Sequence, residues 1–540
     1  MNPLVSRRRL FATLAVTSAA TVVLTACGGG SGEEGQPVRA YGLEPERPLI
    51  PTDTVNEGGL NVVDLVFKGL VVYDQDGAPV NELAESIDSE DSTTWRITIK
   101  SGKKFTNGEE ITAQSFVDAW NYGAAAQNAQ QASYFFEPIL GYDEVSTEGS
   151  ETTEMKGLTV IDDSTFEVEL TGANITFPAR LGYCAFAPLP ASAFEDMEAF
   201  GERPVGWGPF KMDGDDAWAH DQEVRLVRNE DYDGQQPAQI EALTFQIYQD
   251  AGAAYTDLLS ENLDLTSIPT EQLEVADDDL PGRIVEREIA AISGFALPYY
   301  LPEWSGEAGK LRRRAISKAL NRQELIDAVL HGEGTPAKEF TAPSLDGYPE
   351  SLKGSENFEF DAEAAQQLWA QAEEISPWEK GKAFELAYNT DGGNKDWVDA
   401  VCHQIANTLG ITAQGKSYAT FKELRSEVDA RKLTSPVRIS WFGDYPSMHN
   451  FLGPMYAKGG SMNDSQYDNA DFNRLLDEGL AAPTVEEANA KFVEADEMLL
   501  EDLPSIMLWY SKAKRGHSDR VADVELTWNG RTDYSALTQA

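Results

Sequence analysis

The chain has 540 residues, which is too long for one hydrophobic core, because single cores stop growing near ~250–300 residues. Its composition, with 41% hydrophobic and 25% charged residues, is that of a folded globular protein. The formal net charge of −47 argues against nucleic-acid binding and against electrostatic docking on anionic lipid, since like charges repel.

The N-terminal segment has the pattern of an export signal. Three consecutive arginines precede an apolar run, residues 10–24, that is too short for a comfortable membrane span. The sequence LTAC then resembles a bacterial lipobox, in which the cysteine, here Cys27, becomes the lipidated first residue of the mature protein. We predict a signal peptide and lipobox over residues 1–27 and a Gly/Ser-rich flexible tether over residues 28–37. The alternative is a secreted protein in which this cysteine is incidental, and the export route, Sec or twin-arginine, stays open.

Mixed strands and helices are predicted along the rest of the chain. Alternation of apolar and polar residues predicts half-buried strands at 93–100, 164–170 and 242–248. An N-cap residue before an apolar stripe predicts helices that begin after Thr112, Asn321 and Thr484. Such a mixture over this length indicates α/β lobes.

Two cysteines remain beyond the lipobox. Cys402 falls on the apolar face of a predicted helix, which favours a buried free thiol. A disulfide between Cys184 and Cys402 stays possible, because a sequence does not show which residues are close in space.

The segment 438–454, RISWFGDYPSMHNFLGP, places one carboxylate among large aromatic residues. Arg438 begins a predicted strand, and Asp444 follows it directly after Gly443. These two charges either satisfy each other locally or await a ligand that carries both signs.

The sequence shows no motif of catalysis or metal binding in the structural context that the motif requires. The five histidines are scattered, and Cys184 and Cys402 form no CxxC pair. No GxSxG motif is present. The GxGxxG spacing at 30–35 lies in the predicted tether, and the Walker A spacing at 410–417 directly follows a predicted helix, whereas both motifs must follow a strand. We therefore assign no catalytic residue, no metal ligand and no cofactor, although acidic pairs of a hydrolase are not excluded by counting.

Five stretches, taken together and in order, resemble the family 5 solute-binding proteins of ABC importers, which include the oligopeptide- and dipeptide-binding proteins. The resemblance extends from about residue 38 to 510, nearly the whole mature chain. The stretches are AESIDSEDSTTWRITIKSGKKFTNGEEITAQSFVDAW at 84–120, VGWGPFKM at 205–212, LRRRAISKALNRQELIDAVLHGEGTPA at 311–337, SWFGDYPSMHNFL at 440–452 and GSMNDSQYDNADFNRLL at 460–476.

The resemblance implies an α/β fold, a two-lobed periplasmic-binding-protein-like clamp of the class II type. It also implies a subdomain inserted in the first lobe. The expected parts are a lobe I core of residues 38–66, 187–292 and 511–540, an inserted subdomain of residues 67–186, and a lobe II of residues 293–510.

The same resemblance implies a site for short peptides. Asp444 would receive the α-ammonium group of the peptide, and Arg438 would receive its carboxylate. The two positions are six residues apart, which spans up to roughly 20 Å when extended, and a tri- or tetrapeptide spans roughly 10–14 Å. Trp441 and the neighbouring Tyr445 would line the site with aromatic rings that pack against many different ligand side chains.

Two further positions are expected near the ligand. By the resemblance, Glu57 falls near the ligand-facing loop of the family. Asn394 stands where the family often has a histidine that contacts the carboxylate of longer peptides. An asparagine donates a hydrogen bond but does not become cationic, so the preferred peptide length stays open.

The expected function is that of an extracytoplasmic, lipid-anchored and monomeric lipoprotein, not an enzyme. It would deliver short peptides to the permease and ATPase subunits of an ABC importer. Alternatives are the same scaffold binding an oligosaccharide or a metal chelate, a secreted hydrolase, or a signalling or chaperone role for the clamp. An acidic residue at position 444 favours a ligand with an ammonium group over a neutral sugar.

Overall fold

The computed structural model describes residues 35–349 and 351–540. Cys27, the predicted signal peptide and most of the predicted tether lie outside the described residues. Across the two described ranges, no helix has both the length and the apolar character needed to cross a bilayer.

The α-helices vary in length from four to 18 residues. In chain order they are α1 (Glu57–Val66), α2 (Ala113–Ala124), α3 (Tyr142–Val145), α4 (Phe177–Arg180), α5 (Met197–Glu202), α6 (Ala251–Leu259), α7 (Ala276–Asp279), α8 (Gly306–Lys318), α9 (Arg322–Val329), α10 (Ala362–Ile375), α11 (Lys395–Leu409), α12 (Phe421–Asp429), α13 (Met448–Tyr456), α14 (Ala470–Leu480) and α15 (Val485–Asp502).

The strands are mostly short, and two of them have 13 residues. In chain order they are β1 (Val38–Gly42), β2 (Val71–Tyr73), β3 (Pro79–Asn81), β4 (Ala84–Asp88), β5 (Thr94–Ile99), β6 (Leu158–Asp162), β7 (Thr165–Glu169), β8 (Phe210–Met212), β9 (Trp218–Ala219), β10 (Glu223–Arg228), β11 (Ala242–Ile247), β12 (Leu265–Ser267), β13 (Ile284–Ala296), β14 (Thr335–Pro336), β15 (Phe384–Asn389), β16 (Ala413–Tyr418), β17 (Val437–Phe442), β18 (Ser505–His517), β19 (Val521–Ala522) and β20 (Thr538–Gln539).

One sheet of 12 strands runs through the molecule. Its main path is β16-β15-β17-β13-β18-β12-β1-β11-β10-β8, with β14 beside β18 and β9 beside β10. The long strands β13 and β18 pair with each other in antiparallel fashion, and they join the two halves of the sheet. On one side β13 pairs with β17, and on the other side β18 pairs with β12. The end of β17 is therefore fixed beside the middle of β13, where Phe442 lies opposite Ala291.

Two hydrophobic cores lie on the two halves of this sheet. The first core is built mainly from residues 38–265 and from the C-terminal residues 521–537, and it contains the fully buried Trp120. The second core is built mainly from residues 290–510, and it contains the fully buried Trp304. These cores correspond to the two lobes of the α/β fold that the sequence predicts, while the exact limits of its parts stay predictions.

The segment that was predicted as an insertion has a sheet of its own. Its strands follow the order β4-β5-β7-β6, and α2 packs on them through aromatic rings. The ring of Phe166 on β7 lies 5.7 Å from that of Phe116 and 5.5 Å from that of Trp120. The alternation of apolar residues that predicts strands at 93–100 and 164–170 arises because one face of this sheet is buried under the helix.

The predicted helix starts are confirmed. Asn321 precedes α9, and its Oδ1 accepts a hydrogen bond from the backbone N–H of Glu324 at 3.2 Å. Thr484 precedes α15, and its Oγ1 accepts from the N–H of Glu487 at 3.2 Å. Thr112 precedes α2. The side chains of Asn321 and Thr484 each satisfy a backbone group that has no partner inside the helix.

The two described cysteines are free and buried. Cys402 lies on the buried face of α11, as the apolar spacing of that helix predicts. Cys184 lies in the first core, and its thiol contacts the carbonyl of Pro51. The possible disulfide between them is therefore absent from this structure.

Candidate ligand-binding site

A cleft of about 660 Å³ lies where α1, β18 and the C-terminal segment approach each other. The first lobe supplies most of its lining, including Tyr134, residues 182–184 and residues 527–535. The second lobe contributes residues 442–444, at the end of β17, and Glu333. Groups from both lobes therefore face the same space.

Asp444 reaches this cleft because the chain leaves β17 sharply after Phe442. The N–H of Gly443 donates to the carbonyl of Ala290 at 2.7 Å, which holds the chain against β13. A β-carbon at position 443 would approach the ring of Trp528 within 2.9 Å, so the close approach requires a glycine. The turn then directs Asp444 into the cleft.

The Asp444 carboxylate has few partners. Its Oδ2 accepts one long hydrogen bond, of 3.4 Å, from Nδ2 of Asn450. The backbone N–H of Asp444 donates to Oδ1 of the same asparagine at 2.8 Å, which fixes the turn. Among the described residues, no Lys, Arg or His nitrogen lies within 4.0 Å of this carboxylate. Burial raises its pKa from 3.8 to about 6, although the Asn450 hydrogen bond and two arginines oppose the rise.

The two arginines that act on Asp444 already have other partners. Arg180 donates to the carbonyl of Phe135 at 3.0 Å and to the hydroxyl of Tyr445 at 3.2 Å. Arg531 forms an ion pair with Asp64. The field of both guanidinium groups stabilises the ionised form of Asp444, yet neither neutralises it by contact. The carboxylate is thus available to a cation that enters the cleft.

Aromatic side chains form walls near Asp444. The ring of Phe442 is 59% exposed and that of Tyr134 is 47% exposed, and both line the cleft. Tyr73 and Trp528 meet edge to face at 5.5 Å on another part of the lining. Exposed rings of this kind accept many apolar side chains without a demand for one hydrogen-bonding pattern.

Glu57 also lines the cleft, at the first turn of α1. The preceding Asn56 caps this helix, with its Oδ1 accepting from the N–H of Gly59 at 2.9 Å. The Glu57 carboxylate makes no hydrogen bond and no ion pair with the described residues. Glu57 and Asp444 are therefore brought to one cleft, from different lobes.

Arg438 and Asn394 lie together at another place, on the second lobe, and neither lines this cleft. Nε of Arg438 donates to Oδ1 of Asn389 at 2.8 Å, and its guanidinium lies 4.8 Å from the ring centre of Phe421. Nδ2 of Asn394 donates to the carbonyl of Asn389 at 3.2 Å, while its Oδ1 accepts from Nε1 of Trp397 at 3.1 Å. The two residues that are predicted to bind the peptide carboxylate therefore share Asn389 as a neighbour.

Trp441 and Tyr445 flank the Asp444 turn without lining the cleft. Nε1 of Trp441 donates to Oδ1 of Asn450 at 3.3 Å, the same oxygen that holds the backbone of Asp444. Tyr445 is buried, and its ring packs under Arg180, whose Cζ lies 5.1 Å from the ring centre. In this structure both side chains support the residues around the acid.

The sequence analysis missed the basic residues of the cleft. Lys68, Lys512, Lys514, Arg515 and Arg531 all line it. Three of them have carboxylate partners: Lys512 pairs with Glu286, Lys514 with Glu333 and Glu286, and Arg531 with Asp64. The run SKAKRGH was visible in the sequence, but only the pairing of β18 with β12 and β13 shows that it faces the cleft.

Metal ligands do not come together in the part of the chain that the structure describes. No group of three or more His, Cys, Asp or Glu side chains there has an arrangement that could hold a metal ion. Cys184 lines the cleft, but burial holds the pKa of its thiol well above the usual range, so the thiolate form that binds metals is disfavoured.

Comparison with known proteins places these features in context. The profile of the bacterial extracellular solute-binding proteins, family 5 Middle, matches residues 78–463. The chain is 25% identical over 523 residues to the oligopeptide-binding protein OppA of Bacillus subtilis, covering 91% of this chain and 92% of that protein.

Solved structures share the fold. The unliganded open form of the periplasmic murein tripeptide binding protein MppA superposes with a TM-score of 0.79 at 21% identity, covering 94% of this chain and 98% of that one. Haemophilus influenzae OppA in complex with the peptide RPPGFSPFR has a TM-score of 0.72 at 21% identity, covering 94% of this chain and 99% of that one.

Proposed function

This chain belongs to family 5 of the bacterial extracellular solute-binding proteins, and we propose that it binds short peptides in the Asp444 cleft and delivers them to the permease of an ABC importer. The observation that carries the proposal is the Asp444 carboxylate itself. It is partly buried, has no ion-pair partner among the described residues and lines the cleft. A buried charge without a partner is costly, and the α-ammonium group of a peptide would supply that partner.

The first step of binding is an ion pair between the peptide ammonium and Asp444. The exposed rings of Phe442 and Tyr134 then receive the first side chains of the peptide. The peptide backbone pairs with protein backbone, which is independent of sequence. These contacts explain how one cleft would accept many peptides.

The second step brings the far end of the peptide to the second lobe. Arg438 is the second residue of β17, and Asp444 follows the end of that strand, so the two charges lie near opposite ends of one rigid element. We propose that Arg438, with Asn394 beside it, receives the carboxylate of the peptide. Arg438 keeps guanidinium donors for this purpose, because its described partners are the side chains of Asn389 and Ser440.

Trp441 and Tyr445 are proposed to act on the ligand through the Asp444 turn or as walls after the lobes close. Glu57 is proposed as a ligand-facing charge on the first lobe. We propose a binding role and no enzymatic step, because the Asp444 carboxylate offers a charge that a cationic group of a ligand would neutralise.

Attachment to the cell is a separate part of the proposal. The sequence before the described residues supports a lipid anchor at Cys27 on the outer face of the membrane, with the Gly/Ser-rich segment as the tether. The protein would act as a monomer beside the permease and ATPase subunits.

Isothermal titration tests the peptide proposal. The titrants are a free tripeptide and the same tripeptide with an acetylated N-terminus, and the proteins are the parent and Asp444→Ala. Removal of one partner from such a pair costs roughly 2–5 kcal/mol, which is about 30-fold to several thousand-fold in affinity. Acetylation should weaken binding to the parent by a similar factor, and the two losses should not add.

A matched control is Asp477→Ala, which removes an exposed carboxylate of α14 outside the cleft. It should bind both peptides as the parent does. Equal affinity of the parent for free and acetylated peptide would contradict the assignment of Asp444 to the ligand's amine.

A further inference from the structure

The cleft contains one guanidinium group that no carboxylate neutralises. Arg515 donates to two backbone carbonyls, that of Lys514 at 3.2 Å and that of Gly530 at 3.1 Å. Among the described residues it has no Asp or Glu oxygen within 4.0 Å, unlike the neighbouring Arg531. The two carbonyl contacts hold the guanidinium in place and leave other N–H groups free.

Residues with hydroxyl groups lie beside this arginine. A narrow recess of about 10 Å³ opens next to it, and its lining includes Thr266, Ser267 and Thr532. Thr266 and Thr532 are only 1% and 7% exposed, and their Oγ1 atoms are buried away from the cleft. Ser267 lies directly opposite Arg515 in the register of β12 and β18. Ser267 also lines the main cleft together with Arg515, so both side chains are accessible to the same ligand.

We infer that Arg515, with Ser267 opposite it, forms a second charged subsite, which selects peptides that carry an acidic side chain. The inference rests on the proposed peptide-binding function and adds a side-chain preference to it. A guanidinium group offers parallel N–H donors that match a carboxylate, and hydroxyl groups donate to the same kind of acceptor. The recess is too small to contain a carboxylate, so the acidic group docks at its mouth, where the recess shares Arg515, Ser267 and Thr532 with the main cleft.

Glu57 limits the strength of this subsite. It lines both the recess and the cleft, yet it lies beyond ion-pair distance of Arg515. Its carboxylate would repel an acidic side chain of the ligand without occupying the donors of the arginine. Asp444 stands elsewhere on the lining and holds the ligand's amine, so the acidic residue belongs at a peptide position after the first.

A peptide panel tests this inference on the parent protein without any substitution. Tetra-alanine is compared with peptides that carry glutamate, glutamine or lysine at position two, three or four. At one position the parent should bind the glutamate peptide about tenfold more tightly than the glutamine peptide, because only glutamate forms a charge-assisted hydrogen bond with the Arg515 guanidinium. If peptides bind but no position distinguishes glutamate from glutamine, the inference is wrong and the peptide-binding proposal stands. If no peptide of the panel binds, both fail.

Variants then locate the preference. Arg515→Gln should reduce the glutamate-to-glutamine ratio to about one, while the glutamine peptide keeps its affinity within about twofold, because only the charged contact is lost. Glu57→Gln should increase the glutamate-to-glutamine ratio, because it removes a carboxylate that repels the acidic ligand side chain. This variant still tests the inference if loss of the Gly530 contact prevents Arg515→Gln from folding. Lys458→Gln removes a positive charge from an exposed ion pair with Asp468 on the second lobe and should keep the parent ratio. A preference for lysine over glutamine at every position would overturn the inference. So would a glutamate-to-glutamine affinity ratio that decreases in Lys68→Gln and stays unchanged in Arg515→Gln.

Discussion

Replacement of Asp444 by asparagine should make the free protein more stable and the peptide complex weaker. Asparagine keeps the size of the side chain and one oxygen that accepts from Nδ2 of Asn450. What it removes is the charge, which lies in a partly buried site with no ion-pair partner among the described residues. The same feature that prepares the site for an ammonium group therefore costs folding free energy while the cleft is empty.

The pKa of Asp444 sets the size of this cost. Burial raises that pKa from 3.8 to about 6, and the difference corresponds to roughly 3 kcal/mol of folding free energy. Because the folded-state pKa is the higher one, ionisation of Asp444 destabilises the fold. The cost is absent below pH 3.8, increases as the pH rises to about 6, and is fully present above that value. Asp444→Asn should thus gain up to about 3 kcal/mol at pH 7.5 and almost nothing near pH 4.

Urea unfolding followed by tryptophan fluorescence at pH 7.5 and near pH 4 measures this gain, with Asp477→Asn as the exposed control. Peptide titration of the same proteins measures the opposite effect, a loss of about 30-fold to several thousand-fold in affinity. In the parent, peptide affinity should decrease about tenfold from pH 7 to pH 5, because most of the Asp444 carboxyl is protonated at pH 5. A lower free energy of unfolding for Asp444→Asn at pH 7.5, or unchanged peptide affinity, would refute the reasoning.

Three further predictions concern other parts of the chain. Cys27→Ala should leave the protein unprocessed or release it to the medium, because the expected diacylglycerol anchor is lost, and a variant that fractionates with membranes, correctly cleaved, would contradict this. Asn394→His should favour one peptide length, most strongly at acidic pH where imidazole is charged, and unchanged affinity ratios for three-, four- and five-residue peptides would remove Asn394 from the site. Asp496→Asn should make unfolding less sensitive to alkaline pH. Burial raises the pKa values of the buried pair Glu339 and Asp496, and the charge of Asp496 raises that of Glu339 further, so stability falls as rising pH removes their protons. An identical pH profile of unfolding for the two proteins would exclude this role.

Local features of the fold were predictable from the sequence because their causes are local. The caps Asn321 and Thr484 and the strand β17 follow from residue types within a few positions. The family resemblance rests on stretches of this kind, and it identified Asp444, which faces the cleft through the bend at Gly443.

The basic residues of the cleft were not predictable in the same way. Lys514 and Arg515 are distant in sequence from every other part of the lining except residues 527–535. Their position depends on the pairing of β18 with β12 and β13, which are separated from it by more than 200 residues. Nor does the sequence distinguish a cation with a carboxylate partner, such as Arg531, from one without, such as Arg515.

The pairing of β18 also has a consequence for the order in which the molecule is assembled. Synthesis proceeds from the N-terminus, so residues 505–517 become available only after β12 and β13. Until then β12 and β13 lack the strand that lies between them, and the first core lacks Leu537. The two halves of the large sheet are therefore not joined until β18 has been synthesised. A chain that is truncated before Ser505 would thus lose the strand that joins the two halves of the sheet, not an edge strand of one half.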